Sequence, residues 1–198
     1  MAIDSATLFA YQRGDYTGAI AKLEGRADEE SRSLLAECYT LTSQPEKAES
    51  LFRLLTKEYP NRAKHHYNLG VFYSHHGRPN DAYLCYVAAW EQDNSYTKAG
   101  QTLVNMLCTA GYFNQAGQIA ETLLSTAPND PASYKSYGRV LTNLGRTDEA
   151  IANYRRGIEN LVNGWKKLGP PLLLTLNFST ADQQTLFDAS VAWGKEKR

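Results

Sequence analysis

Four histidines, the side chains in this sequence best suited to bind a metal ion, fall within one short stretch: His65, His66, His75 and His76. The two pairs are ten or eleven residues apart, about 15 Å along a helix, so they cannot share one ion. No two of them are four residues apart, the spacing that places two imidazoles on one helix face. We therefore expect no metal site. We expect His66 to pack inside the fold and His75 to be exposed.

Other sequence signatures of catalysis are missing as well. The sequence contains no glycine-rich phosphate loop, no HExxH motif and no GxSxG motif. The three cysteines, Cys38, Cys85 and Cys108, are odd in number, widely spaced and without a CxxC pair. This pattern is typical of small buried thiols in a reducing compartment. The cysteine pattern predicts a cytoplasmic protein, and the missing motifs predict that it has no cofactor and is not an enzyme.

The charge balance bears on the class of partner. Of the 198 residues, 42% are hydrophobic, and the 21 basic residues equal the 21 acidic residues in number. Such a chain can bury a core, but it has no general positive field to attract nucleic acid. The opening "MAIDSATLFAYQRGD" lacks a signal-peptide pattern, and the longest apolar run is far short of the roughly 20 residues that span a bilayer. We expect neither a nucleic-acid partner nor membrane insertion.

The elements that position any site are indicated by a repeated turn, which reads "SQPEKAESLF", "HGRPNDAYLCY", "AGYFNQAGQIA" and "LGRTDEAIANY". One alanine of each copy lies 34 residues from its equivalent in the next copy: Ala48, Ala82, Ala116 and Ala150. Five residues before them stand Ser43, Gly77, Gly111 and Gly145. Residues that precede each turn also recur at this interval. Leu69, Gly70 and Tyr73, for example, have similar residues at the equivalent positions of the other copies.

This pattern resembles the tetratricopeptide repeat, a helical hairpin with a 34-residue signature. The resemblance covers four copies, at residues 29–62, 63–96, 97–130 and 131–164. It implies an all-α fold, a superhelix of the α-solenoid class, built from four full hairpins. A degenerate hairpin over residues 1–28 and capping helices over residues 165–198 are expected at the two ends.

The turn residues themselves favour helical hairpins. Gly77 and its equivalents can adopt the left-handed conformation that ends a first helix. Pro45 and Pro79 suit the first turn of a second helix, and Thr147 is predicted to be an N-cap. The recurrent alanine is expected where the two helices approach most closely.

The C-terminal residues are expected to cap the stack. "IENLVNGWKKLG" is predicted to lengthen the last repeat helix, and Pro170-Pro171 to interrupt it. "LLLTLN" then begins a short buried helix, and Ser179 or Thr180 caps a final one. The apolar residues of that final helix are Leu186, Phe187, Val191 and Trp193.

The resemblance implies that the first helix of each hairpin lines a concave groove. The candidate partner-binding residues on those helices are Lys64, Tyr67, Lys98, Gln101, Asn105, Lys135, Arg139 and Asn143. The stripe of groove-facing residues along these first helices is acidic near the N-terminus and basic in the C-terminal half. Its basic half favours an extended peptide with acidic groups. The alternative, that these residues are simply solvated, stays open. So does the oligomeric state, a monomer or a weak homodimer.

Two function classes remain. The first is a protein-interaction scaffold or adaptor that binds a protein or peptide partner. The second follows from the C-terminal "LLLTLNFSTADQQTLFDASVAWGKEKR", which resembles the segment joining repeats to the catalytic region in bacterial proteins of the O-GlcNAc transferase type. That resemblance implies the substrate-recruiting region of a larger glycosyltransferase. The stripe reproduces neither the carboxylate clamp of chaperone adaptors nor the asparagine ladder of the transferases, of which only Asn68 is present.

Overall fold

The computed structural model describes residues 3–177 together with positions 185, 188, 190, 191 and 194. Within these residues the regular structure is helical throughout, and no strand occurs. The chain divides into two compact units, Met1–Asp93 and Asn94–Arg198.

The first unit contains three helical hairpins. Helices α1 (Ser5–Gln12) and α2 (Tyr16–Leu23) are short, with eight residues each. Two longer hairpins follow, α3 (Glu29–Leu41) with α4 (Pro45–Glu58), and α5 (Ala63–His75) with α6 (Pro79–Gln92).

The second unit continues the same plan. Its hairpins are α7 (Thr97–Thr109) with α8 (Phe113–Thr126), and α9 (Pro131–Asn143) with α10 (Thr147–Asn160). A further helix, α11 (Gly164–Leu176), packs on α10 and α9. In each of the four long hairpins the first helix has 13 residues and the second has 14. The fixed lengths explain why the sequence landmarks keep a fixed interval.

The turn inside each long hairpin has the predicted left-handed residue. The φ angles of Gly77, Gly111 and Gly145 are 69°, 83° and 72°, and Ser43 adopts 57° at the equivalent position. The next N–H reaches back to the carbonyl five residues earlier, as from Arg78 N to Tyr73 O at 2.9 Å. This bond uses a carbonyl that the end of the helix would otherwise leave unpaired.

The two helices of a hairpin meet at the predicted alanines, none of which has any exposed surface. In the α5–α6 hairpin the first helix approaches so closely that its facing residue, Gly70, has no side chain. A Cβ on Gly70 would lie 2.7 Å from the ring of Tyr86. Val104 and Ala120 hold the same two positions in the α7–α8 hairpin, so there a larger first partner faces a smaller second one.

Two local predictions are wrong. Thr147 is the first residue of α10 and not its N-cap, which is Arg146, whose guanidinium pairs with Glu149 at 2.6 Å. The buried histidine is His65 and not His66, because the inward-facing position of α5 is the one taken by Ser31 and Ser133 in other repeats. His75 is exposed, as predicted.

The predicted course of the chain after the fourth hairpin is also wrong. Helix α10 ends at Asn160, and α11 continues without a break through Pro170 and Pro171. The prolines leave the carbonyls of Lys166 and Lys167 without their usual N–H partners, but these lysines are exposed, so water can take that role. Gly169, which lacks a Cβ, relieves the clash that a residue before proline normally has in a helix.

Packing holds α11 in place despite its prolines. Its buried face joins the core of the second unit and consists of Leu168, Leu172, Thr175 and Leu176. Most of the predicted final helix, including Ser179, Thr180, Leu186, Phe187 and Trp193, lies outside the described residues. Val191 is helical and 36% exposed.

Candidate functional site

Six of the eight predicted site residues lie on α7 and α9 in the second unit. We call this surface the α7/α9 face, and it comprises Lys98, Gln101, Asn105, Lys135, Arg139 and Asn143. Gln101 is half-buried and the other five are exposed. Several of them occupy equivalent repeat positions 34 residues apart, which is why they align on neighbouring first helices.

The best-defined contact of the α7/α9 face joins its two helices. Arg139 Nη1 donates to Asn105 Oδ1 at 2.8 Å. Asn143 Nδ2 donates to the backbone carbonyl of Arg139 at 3.0 Å, so its amino group is used within α9. The amide of Asn105 therefore has its oxygen committed to Arg139, and its Nδ2 is the group that can donate to a ligand.

A second connection between α7 and α9 involves Asp130, which is not among the predicted site residues. Gln101 Nε2 donates to Asp130 Oδ2 at 3.1 Å. The other oxygen of Asp130 accepts from the backbone N–H of Ala132 at 2.9 Å and caps α9. An Asp directly before Pro131 at a helix start is a readable N-cap signal, but its bond to Gln101 requires the tertiary structure.

The α7/α9 face carries three cations for which the described part of the chain provides no anionic partner. Among the described residues, no carboxylate forms an ion pair with Lys98, Lys135 or Arg139. Arg78 is different, because it pairs with Asp81 at 2.7 Å and with Glu49 at 3.1 Å. The face is thus positive while the chain as a whole is neutral.

Cys108 lies beneath this face and is 7% exposed. Burial raises the pKa of its thiol, and the nearby charge of Arg139 and a hydrogen bond with Asn143 oppose that shift. A buried thiol with a raised pKa is a poor nucleophile. Cys108 therefore supports the face by packing.

The other two predicted site residues belong to α5 in the first unit. Lys64 is exposed and borders a cavity of about 370 Å³ together with Glu30 and Ser33. Tyr67 is half-buried, and its ring packs at 5.4 Å from that of Tyr86. Tyr67 therefore contributes to packing as well as to the surface.

The buried histidine forms a structural contact. His65 Nε2 and Glu29 Oε1 are 2.8 Å apart, and the ring of Tyr59 packs on His65 at 5.6 Å between centroids. Over the described part of the chain, no group of three or more His, Cys, Asp or Glu side chains could hold a metal ion.

A cavity of about 250 Å³ in the first unit, lined by residues of α1, α3, α4 and α5, is not among the predicted sites. Leu41 lies at this cavity and is 51% exposed. A signal for it exists in the sequence. The equivalent positions in the other repeats carry His75, Thr109 and Asn143, so Leu41 is the apolar member of an otherwise polar set.

Comparisons with known proteins identify the repeats. Two profiles described as tetratricopeptide repeat match residues 30–62 and 132–160. These two segments are therefore similar to tetratricopeptide repeats. They correspond to the hairpins α3–α4 and α9–α10, and the intervening tetratricopeptide-like hairpins repeat the same helix lengths. Curated protein sequences gave no match.

Solved tetratricopeptide-repeat structures share the fold. A crystal structure of MamA is 20% identical with a TM-score of 0.65, over 81% of this chain and 96% of that one. The C-terminal part of a TPR repeat-containing protein from Cytophaga hutchinsonii is 14% identical with a TM-score of 0.71, over 95% and 78%. PilF from Pseudomonas aeruginosa is 18% identical with a TM-score of 0.69, over 96% and 86%.

These likenesses confirm the predicted all-α fold of the tetratricopeptide, α-solenoid class. The matched repeats end at residue 160, so the similarity of the C-terminal segment to a glycosyltransferase junction stays a hypothesis. None of the described helices is both long and apolar enough to cross a bilayer. The domain boundaries and the cytoplasmic location also stay predictions.

Proposed function

We propose that this protein is a non-catalytic interaction scaffold whose α7/α9 face binds an extended partner segment with acidic side chains. The observation that carries the proposal is the exposed group of Lys98, Lys135 and Arg139, which share one face and have no anionic partner among the described residues. Tetratricopeptide repeats commonly supply such faces for protein binding.

The geometry suits a peptide backbone with acidic groups at intervals. Arg139 is already held by Asn105, so less conformational freedom is lost when it binds a carboxylate. Asn105 Nδ2 can donate to a peptide carbonyl beside that carboxylate. Lys98 and Lys135 add longer-range attraction, which favours acidic partners and excludes basic ones.

The test is the affinity of a fluorescein-labelled nine-residue peptide containing three glutamates, measured by fluorescence anisotropy at low salt. Lys135→Glu combined with Arg139→Glu reverses two of the three cations. We expect the affinity to fall by at least about tenfold, because each lost charge contact is worth roughly 1 kcal/mol or more. The helicity measured by circular dichroism should be unchanged, because both residues are exposed.

A matched control changes the same charge elsewhere. Arg155→Glu with Arg156→Glu reverses two exposed cations of α10, a second helix of its hairpin, which lies outside the α7/α9 face. This variant should keep most of the affinity. If both double variants bind the peptide as the unchanged protein does, the acidic partner is not recognised on this face.

A further inference from the structure

The cavity of about 250 Å³ in the first unit has a polar end and an apolar end. Its apolar lining comes from Leu41 of α3, Phe52 of α4, and Val71 and Phe72 of α5. Its polar lining is Tyr11, Glu37, Thr40, Asn68 and His75. The volume is below the roughly 300 to 1,000 Å³ of sites that hold drug-sized molecules. It is suited to a single side chain.

Glu37 dominates the electrostatics of this cavity. Tyr11 donates to Glu37 Oε2 at 3.1 Å, and Asn68 Nδ2 donates to Glu37 Oε1 at a long 3.4 Å. Both partners are neutral donors, and no described cation lies within ion-pair distance of this carboxylate. A carboxylate has about four acceptor positions, so Glu37 retains capacity for a charged donor.

The surroundings of Glu37 favour a charged donor over a neutral one. Burial and the adjacent Glu37 carboxylate raise the pKa of Tyr11 to about 12, so this phenol stays a neutral donor and brings no compensating charge. Lys64 borders the neighbouring cavity, which Glu37 also lines, but among the described residues it forms no ion pair with Glu37. The negative charge of Glu37 is therefore left for a ligand to neutralise.

The apolar end suits the stem of a long basic side chain. Lysine and arginine bury their methylene groups along apolar surface and keep their charged ends at polar groups. Here the half-exposed Leu41 lies at the surface, and Val71 and Phe72 supply further apolar contact. Asn68, which reaches Glu37, is seven residues before His75 in α5, or about 10 Å along the helix, so the cavity is long enough to hold such a side chain.

We propose that this cavity binds a lysine or arginine side chain of the protein partner, with Glu37 as the residue that pairs with its charge. The inference rests on the proposed function in that the ligand is a peptide segment. It adds a second requirement, because the first unit selects a basic residue where the α7/α9 face selects acidic ones. Charge-assisted contact with Glu37 and apolar contact with the stem act together.

The experiment titrates three acetylated and amidated nine-residue Gly/Ser peptides into the ¹⁵N-labelled full chain, followed by NMR. Their central residue is lysine, norleucine or glutamate. The lysine peptide should shift the backbone amide signals of Leu41, Val71 and Phe72. It should bind about tenfold more tightly than the norleucine peptide, which has the stem without the charge.

Two variants separate the charge from the stem. Glu37→Gln keeps the size of the side chain and an acceptor for Tyr11, and it should bring the lysine and norleucine peptides within about twofold of each other. Leu41→Ser should lower the affinity of both peptides, and the lysine peptide should still bind more tightly than the norleucine peptide. Glu30→Gln, at an exposed position of the same helix but outside this cavity, is the control and should change the affinity of neither peptide.

Several results would overturn this inference. One is equal affinity of the lysine and norleucine peptides for the unchanged protein. Another is a set of signal shifts confined to residues outside the cavity. A third is a lysine peptide that still binds about tenfold more tightly than the norleucine peptide to the Glu37→Gln variant. The triglutamate peptide is measured on the same samples. If it binds and the lysine peptide does not, this inference fails alone, whereas the reverse result removes the acidic-partner proposal and leaves this one standing.

Discussion

At the residue scale, the recurrent alanine is the point of closest contact in each hairpin. Ala82 and Ala150 have no exposed surface, and neither does any other member of the set. A protein interior is packed nearly as densely as a crystal, so a larger side chain has nowhere to go without moving a helix.

We therefore expect Ala82→Leu or Ala150→Leu to lower the free energy of unfolding by roughly 1 to 3 kcal/mol. The measurement is urea unfolding followed by circular dichroism. Ala152→Leu is a suitable control, because Ala152 is exposed on the same helix as Ala150. An unchanged unfolding midpoint for Ala150→Leu would show that this contact is looser than the structure indicates.

A second residue-scale prediction concerns alkaline pH. Burial raises the pKa of Tyr154 from the usual 10.0 to about 12, partly opposed by the charge of Arg139. A phenol with a raised folded-state pKa contributes its full stability below pH 10 and loses it as the pH rises through 12. The free energy of unfolding should therefore fall between these values.

Tyr154→Phe removes the ionisable group and should flatten that part of the stability curve, after correction for any general loss of stability. Denaturant unfolding at a series of pH values measures it. An identical slope for both proteins between pH 10 and 12 would show that Tyr154 ionises as readily in the folded state as in the unfolded one.

At the element scale, the two helices of a hairpin fit because their facing residues have complementary sizes. In α9–α10 a Cβ on Gly138 would collide with the ring of Tyr154. In α7–α8 the same two positions hold Val104 and Ala120, both fully buried. The repeats thus conserve the combined volume of the pair and not the identity of either residue.

This arrangement predicts a strong coupling between Gly138→Val and Tyr154→Ala. Gly138→Val alone should be destabilising because of overcrowding, and Tyr154→Ala alone because it leaves a cavity. The double variant reproduces the Val104 and Ala120 pair, so it should be more stable than the sum of the two losses by about 0.5 to 3 kcal/mol. Simple additivity in a double-mutant cycle would contradict the complementary fit.

At the scale of the whole molecule, charge is distributed without net excess. The 21 basic and 21 acidic residues cancel overall. Within the residues that the structure describes, each unit nevertheless presents charge without an ion-pair partner, positive on the α7/α9 face and negative at Glu37. Recognition by charge is therefore local to each unit.

We expect different variants to change the affinities of the triglutamate and lysine peptides. We also expect salt to weaken the two affinities to different degrees. Raising the salt concentration from about 0.05 M to 0.5 M shortens the screening length. It should weaken binding of the triglutamate peptide more than binding of the lysine peptide, because the α7/α9 cations are exposed. Glu37→Gln should leave triglutamate binding unchanged. Loss of triglutamate binding in that variant would mean that the two peptides share one site.

The repeat period and the turns could be predicted because they depend on local chemistry. A glycine at Gly77 or Gly145 ends a helix through its own backbone freedom, and the interval of the alanines reports fixed helix lengths. The prediction for Thr147 is wrong because the N-cap position is held by Arg146, which is not a standard capping residue and pairs with Glu149. The break at Pro170 was misassigned because buried packing of α11 outweighs the local preference of proline.

The candidate site shows the same division between local and long-range information. The sequence identified Lys98, Asn105 and Arg139 as surface residues of first helices, because every third or fourth residue between apolar landmarks must face outward. It could not show that Arg139 bonds Asn105, since they are 34 residues apart in sequence. It also could not show the cavity at Glu37, whose lining comes from four different helices.

By itself, then, the sequence determined the hairpins, their length and the outward face of each first helix, because all three follow from contacts within a few turns of chain. Only the tertiary structure decided which outward residues are held by neighbours and which keep an unpaired charge. The physical reason is that side-chain pairing depends on distances between helices, and those distances are set by the packing of the buried residues.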